Sequence, residues 1–232
     1  MVAITGLLQF TINYSTVFWS EQYITSGLAA VLQASITVFG LVLAWLFLPS
    51  ERITKLKILS VMIGIIGVAI IFVDQLKVDN KMAFAGSVVI VIGSYAAAQS
   101  SILIKAKGIG LHPAVILFTQ MLCGLPPLIA YAYFVEGSPL VHNWSLRALG
   151  SVLYLTLAGT IAAFWLYYWL LARIESTNAM MISLVTPFLA VVIGNVFLGE
   201  VLPSQTLIGG ALILSSIALI VFRPKSKEDA TS

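Results

Sequence analysis

Charge is what this sequence has least of. Only 9% of its 232 residues are charged, and 60% are hydrophobic; a soluble domain carries roughly 25% charged and about 45–50% apolar residues. The composition is that of a membrane protein. Cysteine is nearly absent: the single Cys123 excludes an intramolecular disulfide and gives no thiolate metal cluster. The two histidines, His112 in "GLHP" and His142 in "PLVHN", sit in dissimilar loop-proximal settings, so neither a metal site nor a cofactor is expected. No Asp or Glu lies at the centre of an apolar run, which removes the commonest carrier of a coupled proton or sodium ion. There is no Ser/His/Asp arrangement and no pair of intramembrane carboxylates, so no enzyme is expected. The net charge of +3 comes without a clustered basic face, and nucleic acid is not an expected partner.

What remains is long apolar runs. Residues 1–20, 22–50, 58–73, 82–104, 108–135, 148–172, 176–199 and 201–222 carry no charge. About 20 mostly apolar residues make a helix that crosses roughly 30 Å of hydrocarbon with its backbone hydrogen bonds satisfied internally. Each run is therefore a candidate span, the shortest being 58–73, whose ends carry Lys57 and Asp74. The start "MVAITGLLQFTINYSTVFW" has no basic leader and no small-residue cleavage pattern, and reads as a span and not a signal peptide. The expected fold is an all-α membrane protein, a bundle of about eight transmembrane helices in the lipid bilayer.

Basic residues divide unequally between the two sides. The side bearing Met1 takes Arg52, Lys55, Lys57, Lys105, Lys107, Arg173, Arg223, Lys225 and Lys227, against Lys77, Lys81 and Arg147 on the other. By the positive-inside rule Met1 and the polar tail 223–232 are cytoplasmic, in the cell (inner) membrane. Lys105 and Lys107 read as side chains that snorkel to this interface.

The sequence also repeats itself. With an offset of 150, Ile24 meets Ile174, Ser26 meets Ser176, Ala29 meets Ala179 and Phe47 meets Phe197; treating Pro49 as an insertion brings Glu51 onto Glu200. An interval of 149 residues holds five spans, and an odd number inverts the second copy relative to the first. Inverted repeats are characteristic of secondary transporters, whose midplane site is exposed alternately to each side. The expected units are a partial first repeat of three spans at 1–74 and a five-span second repeat at 82–222. A complete first copy would begin roughly 67 residues before Met1, so the first repeat lacks its first two helices. Either the sequence is truncated, or an eight-span protein completes itself by association as a homo-oligomer.

Paired repeats of this kind, with "TPF" around Pro187, "LPSE" and "LGE" closing two apolar runs, and the Gly-rich "VMIGIIGVAII" and "LIGGALILSSIAL" after them, resemble the EamA branch of the drug/metabolite transporter superfamily. The resemblance covers essentially the whole chain apart from the tail. It implies a secondary transporter of small organic metabolites, amino acids or related compounds among them, working by alternating access. It also implies that the third and fourth helices of each repeat surround a central cavity. The position of Pro187 corresponds to Thr37 in the first copy, so the backbone break a proline makes is absent there or has another cause. The alternatives are a non-transporting membrane partner and, behind it, a membrane-embedded enzyme.

Polar residues in those four helices are the candidate substrate-binding set. Thr5, Gln9, Asn13, Thr16 and Ser20 follow steps of 4, 4, 3 and 4 along one face of the first span. Gln33 and Thr37 in the second span, Thr160 and Tyr167 in the sixth, and Ser183 and Thr186 in the seventh complete it. Single Ser or Thr residues also join helices by hydrogen bonds, and Gly64, Gly67, Gly209 and Gly210 are suited to close packing. Gln9, Asn13 and Gln33 point more strongly to a cavity, because each brings donors and acceptors that need partners. In "FWLYYWL", residues 164–170, one ring could stack on substrate while the others anchor or pack. Glu51, Glu200 and Pro187 are read as structural or gating residues. Glu200 is placed at the outer turn near the N-terminus of the last helix, where a carboxylate is favoured. Glu21, Asp74 and Glu175 read as solvated ends or caps.

Overall fold

Every regular element among the described residues is helical. The computed structural model describes residues 1–51, 53–76, 78, 80–108, 110–137, 145–198 and 204–221, and Glu200, His142 and the tail lie outside them. The helical rods are α1 (2–20), α2 (Ser26–Phe47), α3 (Lys55–Ile71), α4 (Lys81–Lys107), α5 (Pro113–Glu136), α6 (Leu146–Leu171), α7 (176–198) and α8 (Ser204–Val221). They coincide with the eight charge-poor runs. Five of them, α2, α4, α5, α6 and α7, are long and apolar enough to cross a membrane.

Several starts are set locally. Thr25, Thr54, Asn80 and Ser145 each accept a hydrogen bond from a backbone N–H three residues on, at 3.2, 3.3, 2.9 and 3.1 Å. Each satisfies one of the N–H groups that a helix start leaves without a partner. Between the rods, small residues decide the approach. A Cβ on Gly67 of α3 would lie 2.7 Å from the carbonyl oxygen of Gly209 in α8, so these two helices pack backbone to backbone, as small residues permit in membranes.

A buried polar network ties α1, α4, α5 and α6 together. Gln120, fully buried, donates through Nε2 to Thr5 Oγ1 at 2.8 Å and to Ser100 Oγ at 3.4 Å. Its Oε1 accepts from the Tyr168 hydroxyl. Thr5 and Ser100 pass their own protons to Val2 O and Thr5 O. Apolar packing surrounds this network: Phe10, Ile104, Ile116, Leu117, Leu171 and Ala179 form one buried cluster with Tyr168. Phe164 meets Phe10 with ring centroids 5.1 Å apart. Part of the aromatic run of α6 is thus core, while Trp165 and Trp169 remain partly exposed and Arg173 lies 3.9 Å over the Trp169 ring.

Two irregularities occur twice. α1 contains a π-helical segment, Leu7–Asn13, and α6 contains another, Leu155–Ala162; their last residues are 149 positions apart. α2 is interrupted at Ala34 and α7 at Met181, where Thr37 N–H bonds Ala34 O and Leu184 N–H bonds Met181 O, each three residues back. The break in α2 therefore needs no proline. In α7 it falls before Pro187, and not at it.

Candidate functional site

α1, α2, α6 and α7 enclose a cavity of about 910 Å³. It reaches the bundle end opposite Met1 at Glu21, Ser26 and Phe72, and it extends inward to Asn13, Gln33 and Ser183. Its α1 wall is formed by Asn13, Tyr14, Val17, Phe18 and Glu21, the i, i+4 recurrence of one helical face. The first half of α6, residues 146–162, contributes no buried side chain, so this wall is thin.

A second cavity of about 210 Å³ lies deeper, towards the Met1 end, and is lined by Gln9, Ser101, Phe164, Tyr167 and Met180. Ser183 and Thr186 line both. Tyr167 donates to Ser101 Oγ at 2.9 Å, which fixes its ring against α4.

The sequence-derived candidates divide accordingly. Asn13, Gln33, Thr160, Ser183, Thr186 and Pro187 line the larger cavity; Gln9 and Tyr167 line the smaller one. Thr16 and Thr37 line neither. Thr16 turns its hydroxyl onto Asn13 O at 2.7 Å. Thr37, fully buried, joins α2 to α7 by contacts with Ser183 Oγ at 3.0 Å and Met180 O at 3.4 Å. The Thr16 bond stays within α1, whereas the Thr37 contacts join two helices. A stripe identifies the inward face of a helix but not which part of that face meets a neighbour.

The Met1 end is closed by charged groups as well as by the aromatic cluster. Glu51, only 6% exposed, lies between α2 and α3 but serves α7. Both its carboxylate oxygens accept from Ser176 N at 2.9 Å, and Oε2 also accepts from Ser176 Oγ at 2.6 Å. A carboxylate at a helix N-terminus satisfies free N–H groups and complements the helix dipole. Beside it, Lys57 pairs with Glu175 at 2.7 Å. Lys105 does not snorkel: its Nζ donates to Leu171 O at 2.7 Å and Ile174 O at 2.8 Å, covering the carbonyls at the end of α6. At the opposite end Asp74 accepts from Gln205 Nε2 at 2.8 Å.

Sequence reasoning missed Glu21 as a cavity residue and Ser176 as the partner of Glu51. The spacing Asn13, Val17, Glu21 was an available signal for the first. For the second there was none, because 125 residues separate the pair.

Among the described residues no three His, Cys, Asp or Glu side chains converge to hold a metal. The larger cavity carries scattered polar groups, Asn13, Gln33, Ser183 and Thr186 among them.

Known proteins share this pattern. The EamA-like transporter family matches residues 1–73 and 84–222. A protein named as an uncharacterized transporter of Archaeoglobus fulgidus is 26% identical over 216 residues, 93% of this chain and 75% of that protein. A probable terminal-alkyne amino-acid exporter of Streptantibioticus cattleyicolor is 27% identical over 95% of this chain and 72% of its own length. A protein named as the uncharacterized inner membrane transporter YedA of Escherichia coli K12 is 26% identical over 94% of this chain and 69% of its own length. A solved crystal structure superposes with a TM-score of 0.82 at 14% identity, over 95% of this chain and 76% of that one, which establishes likeness of fold. This chain is a multi-pass integral membrane protein and belongs to the EamA-like transporter family.

Proposed function

We propose that the protein is a secondary transporter that moves small organic metabolites, amino acids or related compounds among them, by alternating access. The observation that carries the reading is the one-sidedness of the cavity. A chamber of about 910 Å³ reaches one end of the bundle, while Glu51, Lys57 and Lys105 fasten helix ends at the other. Rocking of one half against the other would release these contacts and open the Met1 end. The recurrence of a π-helical segment in α1 and α6, and of a turn in α2 and α7, supports an inverted relation between the halves.

Alternating the charge-poor runs across the membrane assigns nine of the 12 basic residues to the Met1 side, and by the positive-inside rule that side faces the cytoplasm, with the cavity facing outward. The C-terminus is then cytoplasmic. We place the protein in the cell (inner) membrane. The amino-acid exporter among its relatives supports the substrate class, and no catalytic role is proposed. Counterflow in proteoliposomes tests the reading: vesicles loaded with one unlabelled amino acid or amine at a time should accumulate the labelled compound above protein-free controls. Correctly folded protein that exchanges no member of a broad metabolite panel would overturn it.

A further inference from the structure

The breaks in α2 and α7 set a short first segment apart in each helix, 26–33 and 176–180. The first stands at the open mouth, where Ser26, Ala29, Ala30 and Gln33 line the larger cavity. The second is the segment that Glu51 clasps at the closed Met1 end. A helix bends most readily where its i→i−4 ladder is interrupted, so each break is suited to be the hinge of its segment. One residue takes part in both. The backbone N–H of Thr37 closes the tight turn on Ala34 O that marks the α2 break. At the α7 break Leu184 N–H bonds Met181 O, and Met180 O gives up that helical donor. The Thr37 hydroxyl covers Met180 O at 3.4 Å and meets Ser183 Oγ at 3.0 Å. A single hydroxyl satisfies both contacts by donating to the carbonyl and accepting from Ser183. Thr37 and Met180 are both buried, and a Cβ on Gly40, one turn further along α2, would collide with Met180 Sδ. The two helices therefore touch closely at this point.

We infer that Thr37 is a positioning residue that couples the two hinges, so that release of 176–180 at the Met1 end and closure of 26–33 over the outer mouth occur together. Its hydroxyl holds to the α7 break and its N–H to the α2 break, so neither hinge changes angle without displacing a partner of the other. The mate of Thr37 in the second repeat is Pro187, which has neither an N–H nor a hydroxyl. The link is therefore made once, from the first repeat to the second. The inference rests on the alternating-access reading and names the residue that makes the two ends move as one.

The test uses the full chain in lipid nanodiscs and amide hydrogen exchange at both segments. Glu51→Gln is the perturbation, because it loosens 176–180 at the Met1 end. With the hinges coupled, peptides covering 27–33 should exchange about fivefold more slowly in Glu51→Gln as this segment closes over the chamber, the coupling that a single hydrogen bond carries. Thr37→Val, equal in shape but without the hydroxyl, should abolish that slowing while 176–180 still exchanges faster; Thr37→Ser should retain it. If Thr37→Val does not fold, Ser183→Ala carries the test: it removes one of the two hydroxyl contacts and should reduce the slowing to about twofold. No slowing at 27–33 in Glu51→Gln, full slowing after Thr37→Val or Ser183→Ala, or loss of the slowing in Thr37→Ser would each overturn the inference. Counterflow is measured separately. Coupled exchange without counterflow of any solute would defeat the transporter reading and leave the coupling standing; counterflow by a protein whose exchange at 27–33 ignores Thr37→Val would do the reverse.

Discussion

Replacing Glu51 by Gln should loosen the Met1 end of α7. In the native protein one carboxylate receives the Ser176 N–H on both oxygens and the Ser176 hydroxyl on Oε2, with almost no solvent contact. Gln keeps a single acceptor oxygen, and its amide nitrogen must face the same donors. Hydrogen bonds to a charged partner are worth about 1.5–3 kcal/mol net, and the charge at the helix start adds to this. A loss of about 2 kcal/mol in the local closing free energy is therefore expected, a factor of about 30 in the equilibrium. Amide hydrogen exchange in lipid nanodiscs reads this directly. Peptides covering 176–180 should exchange about 30-fold faster in Glu51→Gln, while those covering the middle of α4 stay unchanged. Ser176→Ala should give a smaller effect, and the double variant should cost less than the two singles combined, because the residues share one interaction. Exchange at 176–180 within a factor of about three of wild type would refute the assignment of Glu51 as the cap of α7.

Three further outcomes follow from the packing. Lys105→Met should lower thermal stability by about 1–3 kcal/mol, because the carbonyls of Leu171 and Ile174 lose their donor; thermal unfolding in detergent measures it. Gly67→Ala should cost about 1–3 kcal/mol by forcing α3 from α8 at Gly209, whereas Gly150→Ala, with nothing within 4 Å of the added carbon, should leave the melting temperature unchanged. Gln120→Leu strands the Tyr168 hydroxyl and should cost about 1–3 kcal/mol. Restoring stability by adding Tyr168→Phe would identify the unpaired hydroxyl as the cause.

The features readable from the sequence are those a helix encodes locally. The apolar runs marked the rods, and the polar stripe of α1 identified the buried face. Gly67 and Gly209 were legible as packing residues, together with Gly64 and Gly210, because small residues permit close helix approach. What was not legible depends on partners far along the chain. Thr16 and Thr37 lie on faces that also carry cavity residues, yet each finds a carbonyl or hydroxyl nearby and turns away from the cavity. Lys105 had the composition of a snorkelling residue, but its ammonium finds the end of α6, 66 residues on. The break in α2 carries no proline signature; it is marked by the Thr37 N–H bonding Ala34 O three residues back. Glu21 passed for a helix-end charge although its spacing from Asn13 put it on the cavity face.

Access to Ser183, which lines both cavities, tests the central claim most directly. With Cys123 replaced by Ser and a single cysteine introduced by Ser183→Cys, a membrane-impermeant thiol reagent is applied to right-side-out and to inside-out vesicles. Alternating access predicts fast labelling from the side opposite Met1, slower labelling from the Met1 side, and a shift towards the Met1 side when Glu51→Gln is added. Labelling from only one side, unchanged by Glu51→Gln, would contradict it.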